Sequence, residues 1–297
     1  MKKNVIISLA DSNYFELVNE LIDSIKRFDE SKNIAICILN AGLKNNEIES
    51  LSKKVDEIKD ANWDIEVPKH KIGQKEWLKS QVSRAFIPNY FPGYEKYLWI
   101  DADAWVNSWE AIELYFKGCN NNKLAIATSA DRSYGRVLRA EWFLKSFAII
   151  KSQNYKHAKS SGFSEKIARK VALMPHLNIG VFSLEKNAPH WQVWQKNLRQ
   201  ALSKGKIWGS EQIAMNITIY VDELPVEILP AYCNWTLINK LKYDQSKNTL
   251  VEYYLPHHKI GIVHLEGKNN DHIRYNKEYF SEVETLDGKI IKKKLRF

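Results

Sequence analysis

The segment Tyr97-Leu98-Trp99-Ile100-Asp101-Ala102-Asp103 holds the sharpest chemistry in this 297-residue chain. Four apolar residues in a row predict a strand buried on both faces. Residues two apart on extended chain share a side, so Asp101 and Asp103 face one way at that strand's carboxyl end. Ligands of open α/β sheets collect at that end. Two like charges held this close repel unless a cation lies between them, so the pair predicts a site for a hard divalent ion. Such an ion offsets negative charge that builds on a diphosphate leaving group.

The elements needed to position the pair can be read around it. Residues 4–9 form an apolar run that predicts a strand. Asp11 and Ser12 can cap a helix in which Phe15, Val18, Leu21, Ile22, Ile25 and Phe28 keep helical spacing. Residues 34–39 predict a second strand, 44–59 a polar helix, 63–67 a short strand, and 79–91 a helix stopped by Pro92-Gly93. Strand and helix alternate up to the Asp pair, which predicts βαβ units on a mainly parallel sheet. Beyond it, residues 124–128 predict a strand, 136–150 and 164–173 helices, 178–184 a buried strand, and 189–203 an aromatic-rich helix. Ser210 is expected to cap a helix over 211–220. Strands at 226–229 and 261–264 precede a tail hairpin turning at Asp287-Gly288. Residues 231–260 and 265–297 show little pattern and read only as surface elaborations.

A composition of 44% hydrophobic and 12% aromatic residues is ample for a large core and excludes disorder. No apolar run is long enough to span a bilayer. The apolar stretch after Met1-Lys2-Lys3 ends at Asp11 without a cleavage site, so the chain is expected to be cytoplasmic. Three scattered cysteines give neither a disulfide framework nor a metal pair. The net charge of +9 favours anionic partners. No nucleic-acid-binding motif or basic-aromatic stripe accompanies it, so no nucleic acid is expected. The tail from Lys289 to Phe297 mixes cationic and bulky apolar residues. It reads either as a peripheral contact with anionic membrane at an inner membrane face, or as the second strand of the hairpin.

The run from Ser83-Arg84 through Tyr94-Glu95-Lys96 to Asp101-Ala102-Asp103 resembles glycosyltransferase family 8, the glycogenin and bacterial lipopolysaccharide galactosyltransferase group. Three further motifs match in order: Leu177-Asn178-Ile179-Gly180, Ser210-Glu211-Gln212 and Ile262-Val263-His264-Leu265-Glu266-Gly267. The likeness covers residues ~4–268. It implies the α/β GT-A fold, a Rossmann-like, mainly parallel central sheet flanked by helices that serves nucleotide-diphospho-sugar transferases. A catalytic domain is expected over 1–268, with a nucleotide-sugar half to about 130 and an acceptor half beyond, then a basic extension over 269–297. The activity implied is retaining transfer of a hexose from a UDP-sugar to a hydroxyl of a glycan or glycolipid acceptor, with lipopolysaccharide or polysaccharide precursors in view. The alternative is a silent member of the fold kept as a glycan-binding scaffold, but intact Asp101, Asp103 and His264 speak against it.

The resemblance also implies residue roles. Asp101, Asp103 and His264 would hold Mn²⁺ (or Mg²⁺), and imidazole suits manganese better. Ala10, Asp11 and Tyr14 would take the nucleotide base, and Ala102 belongs to the donor-binding Asp-x-Asp turn. Arg84, whose fork suits oxyanions, would reach the donor sugar or phosphates. Asp131, Asn178 and Gly180 would line the donor sugar, and Gly267 and Lys268 would belong to the nucleotide-sugar site. Gln212 and Glu211 would face the anomeric carbon. A front-face transfer is favoured, with Gln212 stabilising the oxocarbenium-like state, and Glu211 stays open as a nucleophile.

Two departures stand out. The family's lysine position after the histidine holds Asn270, and no Pro-Trp follows, so either Lys268, His272 or Arg274 replaces that charge or the site closes differently. The Gln motif reads Glu-Gln-Ile where the family has Asp-Gln-Asp. An Asp-x-Asp strand also opens haloacid-dehalogenase-type phosphatases. Theirs lies on the first core strand and is followed by a second acidic motif, and neither condition holds here. Sugar nucleotidyltransferases need a glycine-rich loop after the first strand, and residues 8–14 contain no glycine. Core packing accounts for most of the ten tryptophans, with Trp191, Trp194, Trp208 and Trp235 as candidates for an acceptor groove.

Overall fold

The computed structural model describes residues 2–73, 75–134 and 139–297. Its centre is a seven-stranded sheet in the order β10-β6-β9-β4-β1-β2-β3. In chain order these strands are β1 (Asn4–Ala10), β2 (Ile34–Asn40), β3 (Glu57–Asp60), β4 (Lys96–Ile100), β6 (Leu124–Thr128), β9 (Leu177–Glu185) and β10 (Val226–Leu229), with β5 (Ala104–Val106) continuing directly from β4. The pairs β1–β2, β2–β3, β1–β4 and β6–β10 are parallel, and β9 runs antiparallel to both β4 and β6. The expected mainly parallel α/β sheet is present. Its central strands are buried on both faces, so they read as continuous apolar runs rather than alternating ones.

Helices cover both faces. Helix α1 (Phe15–Lys26), α2 (Asn45–Ser52) and α3 (Trp109–Gly118) bury Val18, Leu21, Ile22, Ile25, Leu51 and Ile112 against one side. On the other side, α6 (His190–Lys204) and α7 (Ser210–Tyr220) pack Trp191, Trp194, Leu198 and Met215 with Tyr97, Trp99 and Phe182 of the sheet. Helices α4 (Gln153–Ser160) and α5 (Glu165–Val171) form a smaller layer beside α7. Trp191, Trp194 and Trp235 are core residues, whereas Trp208 is exposed and meets Trp77 edge-on.

Several boundaries differ from the sequence expectations. No strand forms over 63–67. The third strand is β3, half-exposed at the sheet edge, where Glu-Ile-Lys-Asp has no apolar face to announce it. The polar helix of 44–59 is therefore only α2. The helix expected over 79–91 is a series of short turns between Glu76 and Tyr90, with Pro88 at the start of the last. Of the helix expected over 136–150, residues 136–138 lie outside the described residues. The remainder is a hairpin of β7 (Arg139–Phe143) and β8 (Phe147–Lys151). Its aromatic and β-branched residues suit strands, and Leu144 and Lys145 turn the chain at positive φ. Ser210 is the first helical residue rather than the cap, because Gly209 in the left-handed region starts α7.

Residues 231–297 are better ordered than their sequence suggests. Strands β11 (Trp235–Thr236), β14 (Ile262–His264) and β5 make a three-stranded sheet. Strands β12 (Leu241–Asp244), β13 (Thr249–Glu252), β15 (Ser281–Thr285) and β16 (Ile290–Lys293) make a four-stranded one. The tail hairpin is thus β15–β16, and the chain end folds back onto the large domain. Trp105 Nε1 donates to the Leu295 carbonyl at 2.8 Å. Arg296 is buried, donating to Glu20 at 2.8 and 2.9 Å and to the Arg274 carbonyl at 2.7 Å. The residues after 268 therefore share the core of what precedes them.

Removing one partner of a buried ion pair strands the other charge. Arg296→Ala is expected to lower the free energy of unfolding by about 3 kcal/mol, since Lys277 alone remains near Glu20. A urea midpoint equal to that of the parent chain would show that the tail does not belong to the fold.

Candidate active site

The chain leaves β4 into Asp101-Ala102-Asp103 and re-enters extended structure as β5. Asp101 N donates to the Gly180 carbonyl on β9 (2.8 Å), and Ala104 N to the Asp101 carbonyl (3.1 Å), which makes the turn tight. Strand β14 lies antiparallel to β5 with His264 opposite Ala104, and Leu265 N bonds the Asp103 carbonyl. Both aspartates and the histidine are therefore fixed by backbone pairing, at the carboxyl ends of β4 and β14. One carboxylate or imidazole atom from each of Asp101, Asp103 and His264 lies within 4.8 Å of the others.

Each group keeps one atom for a protein partner and one for the space between them. Asp101 Oδ1 accepts from Trp99 Nε1 at 2.7 Å and from Arg84 Nη2 at 3.1 Å, while Oδ2 lies 3.9 Å from His264 Nε2. Asp103 Oδ1 is 3.3 Å from His264 Nε2, and Oδ2 is 3.4 Å from Arg274 Nη1. His264 Nδ1 pairs with Asn234 Oδ1 at 3.0 Å, which turns Nε2 toward the carboxylates. Outer contacts of this kind fix a ligating imidazole. Gly180 supplies the room: a Cβ there would meet His264 Cε1 at 2.4 Å and Asp101 Oδ2 at 2.9 Å. Two carboxylate oxygens and one imidazole nitrogen, buttressed from behind, fit a divalent ion that accepts mixed O and N donors.

The charges divide unequally. Burial raises the Asp101 carboxyl above its ordinary value, with the charge of Asp103 adding to it and Arg84 and His264 opposing. Burial acts the same way on Asp103, but His264 and then Arg274 outweigh it and hold that carboxyl low. Burial alone would depress His264. Its hydrogen bond to Asp103, followed by the charges of Asp103, Glu266 and Asp101, lifts it to about 9.

Around this centre the structure brings together most of the expected residues. Tyr14 lies beside Asp103, Arg274 and Tyr275, and burial first, then Asp103, raises its phenol. Asp11 caps the turn after β1, accepting from Asn13 N and Tyr14 N, and the Ala10 carbonyl accepts from Ala41 N. Arg84 is buried and spent within the protein: Nε donates to the Ser80 carbonyl, Nη1 to the Ile179 carbonyl, and the guanidinium stacks over Trp99. Asn178 donates to Glu266 at 3.0 Å and accepts from Gly180 N. Gly267, at φ +102, turns the chain out of β14. Asn270 donates to the Glu266 carbonyl. Asp131 accepts from Ser133 N in its own turn, one strand away. The side chain of Lys268 lies outside the described residues. Of the other two cations named for the family's lysine, Arg274 lies 3.4 Å from Asp103, and His272 is exposed against Tyr279.

At the start of α7, Gln212 Nε2 donates to His176 Nε2 at 2.6 Å and to the Leu177 carbonyl at 2.9 Å. Burial, and then His157, hold His176 neutral by lowering it to about 4, and its Nδ1–H goes to Asn154 Oδ1. The amide orientation is thereby set, leaving Gln212 Oε1 without a protein partner among the described residues. Glu211 is buried, and its Oε2 has no hydrogen bond. Burial raises it to about 7, against opposing pulls from Arg84 and two backbone amides. Trp99, Asn234, Glu266 and His176 were not singled out from the sequence. Trp99, two residues before Asp101 on one strand, was the only one whose place the spacing could have given.

An open, mainly parallel sheet with this carboxylate–imidazole group at its strand ends is the architecture of GT-A-fold glycosyltransferases, and the protein is an enzyme of that class. The chain belongs to glycosyltransferase family 8, whose profile, described as glycosyl transferase family 8, matches residues 5–268. No curated protein matches it in sequence. Among solved structures it is similar to the WbbM bifunctional glycosyltransferase, with TM-score 0.55 and 19% identity over 89% of this chain and 46% of that one. The chain thus spans less than half of that protein. It is also similar to galactosyltransferase LgtC, solved with donor and acceptor sugar analogs, at TM-score 0.51 and 13% identity over 89% and 87% of the two chains. Mouse xyloside xylosyltransferase 1 gives TM-score 0.51 and 10% identity over 91% and 99%. At these identities the likeness concerns the fold.

Two outcomes test this geometry. Asn234→Ala frees the His264 ring and is expected to weaken divalent-metal binding, read by calorimetry with Mn²⁺ as the probe, about 10- to 100-fold; unchanged affinity would remove Asn234 from the site. Glu211, ordinarily near 4.5, stays protonated to about 7 when folded. The unfolded chain therefore loses its proton first, and stability falls as pH rises through that window. In metal-free protein, Glu211→Gln is expected to cancel about 1 kcal/mol of that fall per pH unit. Parallel stability curves for parent and variant between pH 5 and 7 would contradict it.

Proposed function

We propose that this chain is a metal-dependent, retaining glycosyltransferase that moves a hexose from a UDP-sugar to a hydroxyl of a glycan or glycolipid acceptor. The observation that carries the reading is the Asp101, Asp103 and His264 group at the strand ends, with the start of α7 beside it. These three residues would hold the divalent ion, Mn²⁺ in preference to Mg²⁺ because one donor is imidazole. When bound, the ion neutralises charge on the departing diphosphate. LgtC, solved with donor and acceptor sugar analogs, supports a nucleotide-sugar donor and a sugar acceptor.

The protein's own groups would divide the remaining tasks. Ala10, Asp11 and Tyr14, at the end of β1, would receive the nucleotide base. Arg274, paired with Asp103, would add the positive charge that the family draws from a lysine where this chain has Asn270. Arg84 would act mainly by holding Asp101, since its fork already serves Asp101 and Ile179. Asn178, Gly180, Gly267 and Asp131 would shape the sugar side. Gln212 Oε1, held by His176 and Leu177 through the other end of the amide, suits a partial positive charge at the anomeric carbon. Burial disfavours the Glu211 carboxylate that such an attack requires, which favours a front-face transfer over attack by this carboxyl.

Nucleotide release from a panel of sugar nucleotides, with Mn²⁺, with Mg²⁺ and with chelator, tests the reading. Slow Mn²⁺-dependent release from one UDP-sugar is expected, abolished in Asp103→Ala and reduced about 100-fold in turnover in Gln212→Ala. No release from any donor, together with no Mn²⁺-dependent UDP binding by calorimetry, would overturn it.

A further inference from the structure

The β7–β8 hairpin has no role in the site. Trp142, Phe143, Leu144, Phe147, Ile149 and Ile150 on it are between 47% and 73% exposed. Isolated two-stranded hairpins are barely stable in water, and exposed apolar clusters of this size mark contact surfaces. Trp142 pairs with Ala148, Phe143 with Phe147, and Glu141 with Ile149. Side chains alternate across the ribbon, so Trp142 and Ile150 emerge on one face, and Phe143, Phe147 and Ile149 on the other. A flat protein partner would cover one face and leave the other wet. A medium that surrounds the tip covers both.

The charge around the hairpin identifies that medium. Residues 139–170, the hairpin with α4 and α5, carry eight Lys and Arg against two Glu, a net +6 of the chain's +9. Lys145, at the turn, and Lys156, on α4, are exposed. Leu173 and Met174, also exposed, lie just after α5 at the hairpin's base, where Ser152 Oγ donates to the Ala172 carbonyl. Apolar side chains ringed by cations suit an anionic phospholipid surface. The tail, read from sequence as either a lipid contact or a hairpin strand, forms the β15–β16 hairpin and ends in residues the fold itself uses, Leu295 and Arg296.

We propose that the β7–β8 hairpin docks this protein on anionic phospholipid bilayers. Its outer edges carry unpaired backbone groups, so it rests in the interfacial zone rather than crossing the hydrocarbon. From its base, Asn154 bonds His176, and His176 bonds Gln212. If the proposed function holds, this arrangement holds the sugar-transfer face at the bilayer and makes a lipid-linked glycan the acceptor class.

Flotation with phosphatidylglycerol-rich and with pure phosphatidylcholine vesicles tests the docking. The full chain is compared with Phe143→Ser/Leu144→Ser, with Lys145→Glu/Lys156→Glu, and with Ile290→Ser on β16. Binding is expected for the anionic vesicles, falling at least about tenfold in the first two variants and unchanged in the third. Donor release in vesicle-free buffer, measured on the same preparations, is expected to stay at parental level, which separates this outcome from failure of the transferase reading. No binding by the parent chain, equal binding to both vesicle types, or equal binding by the tip variant would overturn the proposal. So would a dimer in sedimentation that the tip variant abolishes, since the hairpin would then be covered by a second copy.

Discussion

Two carboxylates on one turn, half withdrawn from water, repel each other strongly, and the surrounding structure is arranged around that repulsion. At a few ångströms and an effective dielectric near ~20, the repulsion costs several kcal/mol unless cations answer it. Three segments distant in sequence supply the answer, Arg84 from the turns after Glu76, His264 from β14 and Arg274 from the segment before β15, while Trp99 of β4 donates to Asp101 beside them. Gly180 on β9 contributes by lacking a side chain where any Cβ would collide with both donors. The final strands are thus more than decoration, because Arg296 secures the Arg274 carbonyl and Glu20 while Arg274 faces Asp103.

Neighbouring residues at the start of α7 show how environment separates roles. Glu211 and Gln212 are adjacent, yet Glu211 is turned into the protein with an oxygen left unbonded, and Gln212 is clamped by one end of its amide. The clamp depends on His176 staying neutral. Its burial and the nearby His157 provide that, and the bond from Nδ1–H to Asn154 leaves Nε2 to accept from Gln212 rather than donate.

The sheet and its chemistry were legible in the sequence where physics acts locally. Buried strands such as β1, β2, β4 and β9 announce themselves as apolar runs, and Asp101 and Asp103 follow from period two on one of them. The third metal-facing residue, His264, needed the family resemblance, because nothing local distinguishes it from a core histidine. The partners that hold these groups came only with the structure: Asn234 lies 30 residues from His264, and Glu266 88 from Asn178. The failures share one cause. Edge strand β3 and hairpin β7–β8 have little buried surface, so no hydrophobic period marks them, and the apolar residues of 139–151 imitate a helix face while serving as an exposed ribbon.

Strand β9 closes the sheet by inserting between β4 and β6, both made much earlier in the chain. A ribosome delivering this protein must therefore extrude a partly built sheet. Until residue 185 emerges, β4 shows an open edge and β6 has neither of its neighbours, since β10 comes later still. Through that interval the glycine whose carbonyl receives Asp101 N has yet to emerge, so the aspartate turn lacks part of its cradle. No fragment ending near residue 130 can carry a finished nucleotide half, and nascent chains stalled in that interval present the kind of unpaired strand that chaperones bind.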